Sequence, residues 1–186
     1  GNAILVGDAL LTLAFETLAM DNLLSAKKKI LLIAELGKAS GMAGMIGGQA
    51  EDIAAEGKKI NLKTLHYIHS HKTGALITAS CRMGAIIGNA NKKVYNAISE
   101  YGKNIGLAFQ ITDDILNVIG DKSKTGKAVG SDARRKKATY PSLFGVEKST
   151  IKAKKHIETA IRNIEILGHK AIPLKLIASN ILNRVS

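Results

Sequence analysis

The chain has 186 residues, a formal net charge of +12, no tryptophan and two prolines. That length holds one domain with a real core and requires no second domain. The basic excess asks for an anionic partner, aromatic residues at 4 % argue against a strand binder built on stacked bases, and a single cysteine excludes an intrachain disulfide.

The apolar runs fall short of the ~20 residues a membrane span needs, and charges interrupt them, so no transmembrane segment and no signal peptide are expected. A reducing compartment is compatible with the one cysteine. The opening GNAILVGDALL reads as the interior of a helical protein, as expected of a fragment or processed chain.

In chain order, residues 3–20 carry apolar positions at helical spacing. A lysine-rich start at Ala26–Lys29 leads into a second helix ending near Lys38. Residues 41–56 (GMAGMIGGQAEDIAAE) read as a third, whose glycines cost stability and so point to close approach of another helix or a ligand. Asn61 suits an N-cap for a long helix over 62–87, and Asn91 for another over 91–119. Residues 120–139 are glycine-rich, basic and aperiodic, which predicts a loop. Pro141 suits the first turn of a short helix. Ser149 is read as the cap of a Lys/Glu-rich surface helix to about Leu167, and Pro173 as the opening of the last helix. No strand pattern appears. The prediction is an all-α fold with 62–87 and 91–119 as its central helices.

Within the second of these, FQITDDILN places Asp113 beside Asp114 in apolar surroundings. Spacings of three and four put Gln110, Asp113, Asp114 and Asn117 on one helical face. Two carboxylates there make a hard oxygen site, which suits Mg²⁺ with substrate phosphates as further ligands. A solvated acidic face is the plainer alternative. The following residues favour the metal: Lys122, Lys124, Lys127 and Arg134–Lys137 add cations, and Gly126 and Gly130 allow backbone amides to face an anion.

Further upstream, Lys72 and Thr73 interrupt an apolar stretch, and a lysine there needs an anionic partner. In GGQAEDI, Gln49 and Asp52 either orient a lysine or are polar surface. His66, His69 and His71 suit packing and hydrogen bonding better than a zinc site. Cys81, among small apolar residues, reads as a buried structural thiol, with Arg82 alone as a possible activator.

Taken together, these segments resemble the trans-isoprenyl (polyprenyl) diphosphate synthases. FQITDDILN is similar to that family's second aspartate-rich motif, HSHKTGAL to its KT motif, and TGKAVGSD and KKATYPSL to its GK…D and KxTYP segments. GGQAEDI is similar to its GQxxD helix, and LVGDALLTLAFE to the helix after its first aspartate-rich motif. All six occur in family order, across nearly the whole chain.

The resemblance implies an isoprenoid-synthase-type helical bundle, with residues 1–186 as one helical domain from the C-terminal portion of a synthase. It implies a cytoplasmic homodimeric prenyltransferase that condenses an allylic diphosphate with isopentenyl diphosphate. Asp113 would bind Mg²⁺, Asp114 would support it through the hydration shell, and Asn117 replaces the family's third aspartate. Lys72, Lys127 and Lys137 would hold the allylic diphosphate, while Thr73 and Gln110 present oxygens to the cation. Gly74, Ala75, Ala79 and Gly84 would leave room for a prenyl chain or a neighbouring helix.

The first aspartate-rich motif is not among these residues, so the chain alone is expected not to turn over. A non-catalytic synthase-like subunit is the alternative, and a nucleic-acid binder resting on residues 134–137 is disfavoured.

Overall fold

The computed structural model describes residues 1–119 and 137–183. Among them the regular structure is helical throughout, as the sequence predicts. The elements are α1 (Asn2–Met20), α2 (Ala26–Ser40), α3 (Met45–Ala54), α4 (Leu62–Lys72), α5 (Gly74–Ile87) and α6 (Lys92–Ile119), followed by α7 (Tyr140–Phe144), α8 (Val146–Asn163), a 3₁₀ stretch (Glu165–Ala171) and α9 (Ile172–Asn183).

The longest helix, α6, is the centre of the bundle. The Asn91 side chain accepts a hydrogen bond from the Val94 amide at 3.0 Å and caps its start. One face packs on α5 and another on α8. Small residues set the α5–α6 distance: a Cβ on Gly106 would stand 2.6 Å from the Gly74 Cα, and one on Gly102 2.9 Å from the Thr78 Cα. Their cost in helix propensity is outweighed by that close packing.

Two apolar clusters result. Tyr101, Ile105, Ala108, Ile157, Ala160 and Ile181 belong to one, and the Tyr101 hydroxyl is satisfied by the Leu174 carbonyl at 2.7 Å. Leu65, Ile111, Ile115, Tyr140 and Ala153 form the other, on the part of α6 that carries the aspartates.

Several sequence expectations need correction. The helix predicted over 62–87 is broken at Thr73, whose φ of −119° takes it out of the helical range. The Thr73 hydroxyl is drawn to Gln110 of α6, and Gly74 is pressed against Gly106. The third helix starts at Met45 rather than at residue 41, because Gly41 to Gly44 make a turn: a Cβ on Gly44 would lie 2.0 Å from the Ala39 carbonyl oxygen.

Ser149 does not cap α8. The helix starts at Val146 after Gly145 at φ +78°, and buried Ser149 donates to the Gly145 carbonyl at 2.7 Å. As expected, α8 is a Lys/Glu-rich surface helix: Lys148, Lys154, Lys155 and Glu158 are exposed, while Ala153, Ile157 and Ala160 are buried on its other face. It ends at Asn163, and Gly168 at φ +56° turns the chain before α9.

By length and composition, α1 and the stretch Ala26–Ala54 could cross a membrane. Counting only unbroken apolar runs misses this. Neither is a clear span: Asp8 and Glu16 interrupt α1, while Lys27–Lys29 and Lys38 interrupt the second stretch. Leu32, Leu36 and Ala39 of that stretch are buried in the protein.

Candidate active site

The site begins with a glycine. A Cβ on Gly48 would stand 2.1 Å from the Lys72 backbone nitrogen and 2.7 Å from the His71 carbonyl carbon. Its absence lets α3 lie directly on the end of α4. Asp52 follows one helical turn later on α3 and faces the Lys72 side chain. Lys72 Nζ donates to Asp52 Oδ2 at 2.8 Å. Lys137, 85 residues from Asp52, donates to the same oxygen at 2.5 Å and lies 3.5 Å from Glu56 Oε1.

The Asp52 and Lys137 side chains are each 13 % exposed, so both charges are largely removed from water. Burial raises the Asp52 pKa, but hydrogen bonds from Lys137 and Lys72 outweigh it and hold the carboxyl below its ordinary value. Burial lowers the Lys137 pKa, and the bond to Asp52 together with the Asp52 and Glu56 charges carries it above its ordinary value. Both shifts favour the charged forms of Asp52 and Lys137. Of the two sequence readings of Asp52, the lysine-orienting one describes the geometry.

A second line of polar groups runs from α4 to α6. The Thr73 hydroxyl donates to Gln110 Oε1 at 2.9 Å, and Gln110 Nε2 donates to Asp114 Oδ1 at 3.2 Å. The Tyr140 amide donates to Asp114 Oδ2 at 3.0 Å, and His69 Nε2 lies 3.5 Å from that oxygen. His69 is buried, and burial pulls its pKa down to about 3. Its contact with Asp114 at neutral pH is therefore between a neutral ring and a carboxylate, not an ion pair. Tyr140 stacks on the His69 ring with centroids 5.4 Å apart.

This separates the aspartates. Successive helical residues point about 100° apart, so the two lie at opposite edges of one face. Asp114 is buried and engaged by donors from α6 and α7, whereas Asp113 and Asn117, four residues apart, are partly exposed. Gln110, Asp113, Asp114 and Asn117 lie within one arc of about 100° on α6, with Asp114 the buried member and Asp113 and Asn117 partly exposed.

Among the described residues, no group of three or more His, Cys, Asp and Glu could hold a metal, the three histidines included. His71 Nδ1 instead meets the Tyr67 carbonyl at 2.9 Å. An all-protein cage is therefore absent among them. The donor chemistry fits Mg²⁺ in its commoner mode, one or two carboxylates with phosphate oxygens and water completing the shell. Asp113 is a partly exposed carboxylate on α6.

Lys127 lies outside the described residues, as do Lys122, Lys124, Gly126, Gly130 and Arg134–Lys136. Gly74 serves a neighbouring helix, as expected, but Gly84 is exposed with open space beside it. Cys81 is half-buried and burial pushes its thiol up, as suits a structural thiol. Arg82 turns away to Glu35 at 2.9 Å and Ser99 at 3.1 Å.

Sequence reasoning missed Glu56 and the contact of Asp114 with His69 and Tyr140. The four-residue spacing of Asp52 and Glu56 was the available signal for the first. The second depends on how residues 137–140 return to α6, which no local pattern encodes.

The sequence profile of the polyprenyl synthetase family matches residues 1–170. The chain is 44 % identical over 189 residues to the farnesyl diphosphate synthase of Escherichia coli, covering 98 % of this chain and 63 % of that one. It is 45 % identical over 184 residues to the geranylgeranyl diphosphate synthase of Cyanophora paradoxa, covering 98 % and 61 %. The chain thus spans a little over 60 % of the length of these relatives. Its fold superimposes on the geranyltransferase of Helicobacter pylori, a structure complexed with magnesium and isoprenyl diphosphate, with a TM-score of 0.81 and 32 % identity. That match covers 97 % of this chain and 59 % of that one.

Proposed function

The chain belongs to the polyprenyl synthetase family, and on that premise we propose that it carries the allylic-diphosphate-binding face of a prenyltransferase of isoprenoid biosynthesis. In the reaction the allylic C–O bond breaks and diphosphate leaves with the electron pair. The isopentenyl double bond attacks the allylic carbon, a C–C bond forms, and a proton leaves the adjacent carbon. Separating diphosphate from a carbocation is the hard step, and fixed cations around the leaving group lower its barrier.

The observation that carries this reading is the convergence of Lys72 and Lys137 on one carboxylate oxygen, beside the helix that presents Asp113. The two ammoniums, with Lys127, receive the charge that develops on the departing diphosphate. The Thr73 hydroxyl proton is committed to Gln110, so its oxygen lone pairs are available to the allylic cation. Gln110 is in turn oriented by Asp114. Asp113 holds magnesium, which supplies Lewis-acid charge to the diphosphate when bound. Asp114 acts by position, through Gln110 and the start of α7.

Residues 1–186 form one helical domain in this reading, the C-terminal portion of a synthase, in a cytoplasmic setting. A second copy covers the apolar face of α1. The chain contains one aspartate pair of this kind, Asp113–Asp114. It binds the allylic diphosphate and does not condense it with isopentenyl diphosphate alone.

Calorimetric titration of the chain with geranyl diphosphate and Mg²⁺ tests the binding. The expected result is a 1:1 complex that Lys72→Ala and Asp113→Ala each weaken at least tenfold. Equal affinity in both variants would refute the assignment. Radiolabelled isopentenyl diphosphate added to the same mixture is expected to give no prenyl product, and product above background would overturn the inactivity.

A further inference from the structure

We infer that Asp52 is a positioning residue that gathers Lys72 and Lys137 onto a single point, so that one diphosphate end meets both ammoniums. The inference rests on the proposed diphosphate site and adds to it a residue that never touches the substrate.

The geometry is specific. Both lysines donate to the same oxygen, Oδ2, so their nitrogens can be no farther apart than those two short bonds laid end to end. Two ammoniums that close repel each other, strongly so where water is excluded. Without an anion between them the long side chains would spread, and each has several rotatable bonds with which to do so. Asp52 holds them together at the expense of one N–H from each. An ammonium has three, so two remain on Lys72 for a ligand, and one on Lys137 besides the N–H that faces Glu56.

The position of Asp52 is itself fixed. Gly48 seats α3 against the Lys72 backbone, which brings the carboxylate to Lys72 from the side of α3. Glu56, 3.5 Å from Lys137, completes a cluster of two cations and two anions. Asp52 bonds both lysines, whereas Glu56 reaches only Lys137 and is the more exposed carboxylate. The positioning role therefore falls to Asp52.

Two measurements on the chain test this. In the first, acetic anhydride labels the lysines and mass spectrometry follows the rates. Lys72 and Lys137 are expected to label slowly in the wild type and at least fivefold faster in Asp52→Ala, with Lys103 as an unchanged reference. Identical rates at Lys72 and Lys137 in the two proteins would show that Asp52 does not tether them, whatever the ligand. In the second, inorganic diphosphate is titrated by calorimetry. Asp52→Ala is expected to weaken it about tenfold, Asp52→Glu to recover most of that, and Glu56→Gln to change it less than threefold. Lys72→Ala should also cost less in the Asp52→Ala background than in the wild type.

If Lys72→Ala and Lys137→Ala weaken diphosphate while Asp52→Ala does not, the site stands and the positioning role falls. If the wild type does not bind diphosphate, or the lysine variants match it, the diphosphate site falls and takes the inference with it.

Discussion

Gly48 and the Lys72 backbone nitrogen are in such close contact that a single methyl group on Gly48 would reach to 2.1 Å of it. The obstacle is backbone on a neighbouring helix, which cannot rotate away as a side chain can. Gly48→Ala must therefore push α3 from α4. We expect a loss of ~1–3 kcal/mol, in the range of overpacked core substitutions. The displacement also separates Asp52 from Lys72, so faster lysine labelling at Lys72 should accompany the loss. Urea denaturation measures the first, and an unchanged midpoint would contradict the packing.

Gly84 makes the opposite case. It lies inside α5 at an exposed position, and a Cβ there would meet nothing within 4 Å. Only the backbone freedom of glycine then counts, and it favours the unfolded chain. Gly84→Ala is expected to stabilise by ~0.5–1 kcal/mol. A destabilised variant would mean that the surface of α5 is covered by something at this point.

The two aspartates should separate by experiment. Asp114 is buried and accepts from Gln110 and the Tyr140 amide. Asp114→Ala leaves those donors without the carboxylate and is expected to cost about 1–3 kcal/mol of stability. Asp113 is partly exposed, and Asp113→Ala should cost less stability than Asp114→Ala. Its effect belongs to metal-dependent diphosphate binding. Thermal melts and Mg²⁺-dependent titrations of both variants check the split, and equal melting losses would contradict it.

What the sequence reveals and what it hides divide along a physical line. Asn61 and Asn91 cap their helices as local chemistry dictates, and the apolar spacing of α6 is self-contained. The break at Thr73 is not. It depends on Gly106 and Gln110, more than 30 positions away, and the run of residues 62–87 by itself favours one helix. Helical spacing puts Asp113 and Asp114 on one face, and only the return of Tyr140 shows that Asp114 is its buried edge. Lys72 plainly needed an anion. That Asp52 would serve Lys137 as well follows from tertiary packing alone.

The face of α1 is unusually apolar for a surface. Ile4, Leu5, Val6 and Leu10 are each more than half exposed, and contiguous apolar surface of this kind marks an interface. We expect a symmetric dimer built on it. Sedimentation velocity should give twice the 19.7 kDa chain mass. Leu5→Lys with Leu10→Lys should return the monomer with unchanged helicity by circular dichroism. A wild-type monomer at high micromolar concentration would rule out that dimer.

His69 should make the fold acid-sensitive well above the carboxylate range. In the folded chain, burial holds its pKa at about 3, whereas an unfolded histidine titrates near 6.5. Between these values the unfolded chain binds the proton and the folded chain does not. Stability must then rise with pH across that window and be lost as pH falls through it. The slope from this one group approaches about 1.4 kcal/mol per pH unit. Asp52 adds a separate loss only near and below about pH 4, because its pKa is lowered in the fold and its stabilisation is present above the unfolded value. Urea midpoints measured from pH 7.5 to 4.5 should therefore fall before the carboxylates titrate. His69→Gln, neutral throughout, should flatten that fall even if it lowers stability at pH 7.5. An equally steep fall in the variant would place the acid sensitivity elsewhere.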